Sequence, residues 1–164
     1  MTANAEIKTI LYATDLGQHM RPVFRQAVSL ARLCDARIIM LHVVEPISRS
    51  AETMLSLYLP KEKLEAIEHE GMDEVIATMR QRLENYCRDE AEICGDDSKV
   101  SEVIVAQGDA SKIINEEARL HGANLIVMGN CASDHRIGKG LIGSTARRVT
   151  QEATVPVLIV PNCQ

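Results

Sequence analysis

Two patterns of apolar residues alternate along the chain. Short, nearly unbroken apolar runs recur at 7–13 (IKTILYA), 37–44 (RIIMLHVV), 99–106 (KVSEVIVA), 124–128 (NLIVM) and 155–160 (VPVLIV). Runs of this length predict strands covered on both faces, as in parallel sheets. Between them the apolar positions return at helical spacing. Val23, Ala27, Leu30, Ala31 and Cys34 predict a helix over 20–34. Leu64, Ile67, Met72, Val75, Ile76, Met79, Leu83 and Tyr86 predict one over 61–88, entered at Pro60, with Gly71 as an expected bend or break. Ile113, Ile114, Ala118 and Leu120 predict a third over 110–121, and a fourth follows over 143–153. The stretch 47–60 is looser, with a helical hint at Met54, Leu55 and Leu57, and 89–98 reads as an acidic turn.

This order, β-α-β-α-β-α-β-α-β, predicts an α/β fold: a parallel sheet with right-handed crossovers and helices on both faces. No internal repeat or linker interrupts it, so residues 1–164 are expected to form a single domain. Ligands of such sheets bind beyond the carboxyl ends of the strands, where the strand order reverses. That edge gathers Ala13 to Asp15, Val43 and Val44, Gly108, and the loop from Met128 to Thr145.

Composition narrows the function classes. A net charge of −5 repels a phosphodiester backbone, and one Phe, three Tyr and no Trp cannot make a base-stacking platform, so no nucleic-acid partner is expected. No apolar run approaches the ~18 residues of a spanning helix, so no membrane insertion is expected. The start, MTANAEIKT, has no apolar signal core, which favours a cytoplasmic location. The five cysteines (Cys34, Cys87, Cys94, Cys131 and Cys163) are odd in number and form no CxxC pair; they read as free thiols. His42, within an apolar run, reads as a core histidine, and His19, His69 and His121 are too scattered to predict a zinc site.

The stretch 124–145, NLIVMGNCASDHRIGKGLIGST, carries the candidate chemistry. A strand end, a loop of small residues and a helix start together form an anion cradle, because backbone N–H groups and the helix dipole favour negative charge there. His135, Arg136 and Lys139 add possible cations, and Cys131 lies on the same loop. Residues 138–143 match GxGxxG literally, but the preceding strand ends nine residues before Gly138, and no acid follows at the distance a dinucleotide fingerprint needs. A Walker A motif is absent, since no Gly-Lys is followed by Ser or Thr.

Met128-Gly129, Ala132 and Gly143-Ser144 together resemble the nucleotide loop of the universal stress protein family: glycine, two residues, glycine, nine residues, glycine, then serine or threonine. ILYATDLG, IIMLHVVEP, VIVAQGDASKII and VPVLIV resemble the family's strands and their flanks, so the similarity covers nearly the whole chain. It implies a Rossmann-like, adenine nucleotide alpha hydrolase-like fold with five parallel strands in the order 3-2-1-4-5. It also implies ATP or a related adenine nucleotide as ligand, in the manner of the family's ATP-binding subgroup. By position, Ala13, Asp15 and Val43 would lie near adenine and ribose, Met128 and Gly129 beneath the nucleotide, and Gly143, Ser144 and Thr145 at the phosphates. Cys131, Ala132 and Arg136 would complete the binding loop, and Asp15 would reach Mg²⁺ through water.

Two departures stand out: Ala132 replaces the second glycine, and ten residues rather than nine separate it from Gly143. The resemblance implies a stress-response regulator that binds nucleotide and acts on protein partners yet to be identified. Its alternatives are a dimeric interaction module that binds no nucleotide, and a weak ATPase or self-phosphorylating protein, in which Asp15 would act without a second acid. A homodimer is expected through the edge strand, where Val155, Val157, Leu158, Ile159 and Val160 carry no guarding lysine.

Overall fold

The computed structural model describes residues 6–46, 48–94, 99–131 and 142–162. Five strands, β1 (Thr9–Ala13), β2 (Arg37–Val44), β3 (Val100–Gln107), β4 (Leu125–Gly129) and β5 (Val157–Val160), form one sheet in the order β3-β2-β1-β4-β5. Every pairing is parallel. Among the described residues, five α-helices join them: α1 (Arg21–Cys34), α2 (Arg49–Ser56), α3 (Lys61–Cys94), α4 (Ala110–Leu120) and α5 (Ser144–Glu152). The expected α/β architecture and strand order are both present.

The apolar runs are continuous because each strand feeds two cores. On one face Ile10, Tyr12, Ile38, Met40 and Val127 pack with Val23, Phe24 and Ala27 of α1 and Leu83 of α3. On the other, Leu11, Ala13, Ile39, Leu41, Ile126 and Met128 pack with Ile114 and Ala118 of α4 and Ala146 and Val149 of α5. Neighbouring strand residues alternate between these clusters, as the pleat requires.

Two sequence expectations need correction. α3 passes through position 71 without a break and continues to Cys94, so 89–94 is helix rather than turn. A helical glycine costs only about 1 kcal/mol against alanine, which a long helix absorbs. The last turns of α3 are held by tertiary contacts. Glu90, with no exposed surface, meets Arg21 Nε at 3.2 Å and Arg25 Nε at 3.4 Å. The Tyr86 ring lies 5.6 Å from Phe24, which in turn lies 5.3 Å from Tyr12. The helical hint in 47–60 is α2, capped by the Ser48 hydroxyl, which accepts from Ala51 N.

Candidate functional site

The sheet order reverses between β1 and β4, and the chain leaving β1 is tightly fastened there. Thr14 N donates to Leu41 O at 2.9 Å. Thr14 Oγ1 accepts from Leu16 N at 3.0 Å and Asp15 Oδ1 from Gly17 N at 2.9 Å. Asp15 Oδ2 meets His19 Nε2 at 3.0 Å. Leu16 takes a left-handed conformation, with φ 66°. Side chain-to-backbone bonds of this kind hold a turn against such local strain.

From β2, His42 turns into the same region. Its Nδ1 lies 2.8 Å from Thr14 O. A carbonyl only accepts, so Nδ1 carries the hydrogen, and Nε2 of the neutral ring is an acceptor. The expectation of a core histidine is therefore corrected: His42 is half-buried and borders a cavity. An apolar run does not tell which of its side chains sits at a strand's open end.

That cavity measures about 370 Å³, within the range of small-molecule sites. Ala13, Thr14 and Asp15 from the end of β1, Leu41, His42, Val43 and Glu45 from the end of β2, and Met128, Gly129 and Cys131 from the end of β4 line it. Met20, Ala110, Ile114 and Thr145 complete the wall. Glu45 corrects a second expectation, because Asp15 is not the only acid at the site. The Glu45 carboxylate also accepts from Ala110 N at the start of α4.

The β4 side is organised by two asparagines. Asn162 Oδ1 accepts from both Asn130 N and Cys131 N, each at 3.0 Å. Asn162 N donates back to Asn130 Oδ1 at 3.0 Å. Asn130 O then accepts from Gly143 N at 2.8 Å, so the two ends of the long loop meet. A Cβ on Gly129 would lie 2.5 Å from Asn162 Nδ2, which is why only glycine fits at that strand end.

Helix α5 begins at Ser144, with Gly143 as N-cap and no side-chain cap bond. Gly143 has no side chain with which to cap the first-turn N–H groups, and Thr145 of that turn lines the cavity. Arg148 fixes the helix laterally by donating to Asp109 Oδ2 at 2.5 Å. Asp109 also caps α4, its Oδ1 accepting from Ser111 Oγ at 2.7 Å and Lys112 N at 3.2 Å. The Ser111 hydroxyl, the Lys112 N–H and Arg148 together lower its carboxyl to about 2.

Of the residues expected at the site, Ala13, Asp15, Val43, Met128, Gly129, Cys131 and Thr145 line the cavity. Gly143 is buried at the loop closure, and Ser144 is exposed at the helix start. Val44 and Gly108 are bonded to each other, Gly108 N donating to Val44 O at 3.1 Å, and do not line it. Ala132, His135, Arg136, Gly138, Lys139 and Gly140 lie outside the described residues. Cys131 is disulfide-bonded, whereas Cys34 is a free thiol, so the expectation of free thiols throughout fails at Cys131. Spacing along a chain does not report which cysteines a fold brings within bonding distance.

Residues 6–161 match the sequence profile of the universal stress protein family. The chain belongs to the universal stress protein family. Among its relatives, universal stress protein A of Photorhabdus laumondii is 26% identical over 157 residues, covering 94% of each chain. The solved hypothetical protein MJ0577 superposes with a TM-score of 0.75 at 21% identity, over 97% of this chain and 99% of that one. UspA from Lactobacillus plantarum gives 0.59 at 23% identity, over 96% and 99%. A universal stress protein solved in complex with cAMP gives 0.54 at 16% identity, over 96% of this chain and 99% of that one. These structural likenesses establish the shared fold. Among the described residues, no helix is long and apolar enough to cross a membrane.

Proposed function

We propose that this universal stress protein binds an adenine nucleotide, ATP or a close relative, as a regulatory ligand. The observation that carries the reading is a cavity at the β1/β4 switch point whose wall includes the first turn of a helix without a side-chain cap. In this reading Ala13, Asp15 and Val43 hold the nucleoside end, with Met128 and Gly129 beneath it. Gly143, Ser144 and Thr145 take the phosphates, with Cys131, Ala132 and Arg136 on the intervening loop. The complex of a related universal stress protein with cAMP supports the choice of an adenine nucleotide.

Asp15 already accepts from Gly17 N and meets His19, yet a carboxylate has about four lone-pair sites. Capacity therefore remains for a water on a nucleotide-bound Mg²⁺. The protein acts in the cytoplasmic stress response as a homodimer that signals to other proteins. Pairing would run through β5, which lies at the sheet edge with Val157, Leu158 and Ile159 half-buried.

Titration calorimetry with ATP and Mg²⁺ tests the reading. Saturable binding at one site per chain is expected, and absence of binding to ATP, ADP, AMP and cAMP alike overturns it. Sedimentation of the same sample is expected to give the dimer mass, and a monomer at micromolar concentration contradicts the edge pairing.

A further inference from the structure

We infer that Asn162 is the positioning residue of the nucleotide loop, acting through Asn130 on the backbone that meets the phosphates. The inference rests on the adenine-nucleotide reading above and assigns to one side chain the alignment of both loop anchors. Asn162 follows β5 by two residues and keeps only 6% of its surface exposed. Its Oδ1 accepts from two successive amides, Asn130 N and Cys131 N, immediately after Gly129. A single acceptor bridging two consecutive N–H groups fixes the path of the chain as it leaves the strand.

The return bond from Asn162 N to Asn130 Oδ1 makes the contact reciprocal. Neither asparagine can turn without breaking a bond to the other. Through Asn130 O the constraint passes to Gly143 N, the residue before α5. Asn162 thus touches one anchor directly and the other through one intermediate. Its remaining polar atom, Nδ2, lies 3.3 Å from Met20 Sδ. Met20 ends the short 3-10 turn after the Asp15 loop and also lines the cavity, so the opposite wall is in contact as well.

The arrangement explains Gly129 without invoking the ligand. Asn162 occupies the space a Cβ would need, so asparagine at 162 in this position requires glycine at 129. The residue that sets the loop's two described ends is therefore on β5's trailing segment. Removing the Asn162 amide takes one shared acceptor from Asn130 N and Cys131 N and loosens the position of Gly143, while the disulfide at Cys131 remains. The nucleoside end, held from β1 and β2, keeps its geometry.

The test compares ATP and adenosine affinities for the wild type, Asn162→Ala and Asn130→Ala by calorimetry. Asn162→Ala is expected to weaken ATP about tenfold, the scale of two lost hydrogen bonds, and adenosine less than twofold. Asn130→Ala, which removes the reciprocal acceptor, is expected to move ATP in the same direction by a smaller factor. Faster amide exchange at Asn130, Cys131 and Gly143, with unchanged exchange in β1 and β2, is expected alongside. Equal losses for ATP and adenosine indicate a merely structural role and overturn the inference, as does unchanged ATP affinity in both variants. A wild type that binds no adenine nucleotide overturns the functional reading and the inference together; wild-type binding with unaltered variants overturns the inference alone.

Discussion

Replacing Gly129 with alanine is expected to lower stability by about 2 kcal/mol, the scale of an overpacked core position, and to weaken ATP binding by more than about tenfold. The added methyl would sit 2.5 Å from Asn162 Nδ2 and 2.7 Å from Asn162 Oδ1. A flexible neighbour would swing away at little cost. Asn162 is not such a neighbour, because its Oδ1 already bonds Asn130 N and Cys131 N. To admit the methyl, either those bonds break or β4 shifts against β5, where Gly129 is in register with Val160. Chemical denaturation and calorimetry on the same variant check both parts. A stability change below about 0.5 kcal/mol with unchanged ATP affinity would show that the strand end has room that these contacts deny.

The second large effect lies in the first turns of α1. Changing both Arg21 and Arg25 to alanine is expected to destabilise the fold by about 3 kcal/mol, because it leaves a buried carboxylate without its partners. Glu90 has no exposed surface and faces Arg21 Nε at 3.2 Å and Arg25 Nε at 3.4 Å. The two arginines are about half exposed, so the loss comes mainly from stranding Glu90 rather than from the attraction itself. A triple variant that also changes Glu90 to leucine is therefore expected to recover most of the loss. Urea denaturation of the three proteins reads this directly. A double variant that loses less than about 1 kcal/mol would mean that water or backbone already satisfies Glu90.

The same residues mark where the sequence was readable. Continuous apolar runs report strands buried on both faces, and β2 lies over 37–44 as its run predicts, because every residue from Ile38 to Leu41 is fully buried. Ala13, Asp15 and Met128 were legible at the site for a related reason: parallel α/β topology places strand ends on one edge whatever the side chains are. The end of α3 was not legible. Residues 89–94 (DEAEIC) carry three acids and no clear apolar stripe, and the burial of Glu90 depends on two arginines that α1 brings to it. Asn162 was hidden similarly. Nothing in a closing PNCQ reports that its amide bonds Asn130 and Cys131, more than thirty positions earlier. Periodicity records what faces a core and says nothing about which polar group meets which across the fold.

The central claim is that an adenine nucleotide lies across the β1/β4 switch point with its phosphates at the start of α5. A ¹H–¹⁵N correlation titration with ATP and Mg²⁺ tests it residue by residue. The amides of Asp15, Val43, Gly129, Ser144 and Thr145 are expected to shift together and saturably. Adenosine is expected to move Asp15 and Val43 while leaving Ser144 and Thr145 nearly still. Saturable shifts confined to other parts of the sheet, or no shift at Ser144 and Thr145 at saturating ATP, would contradict the account.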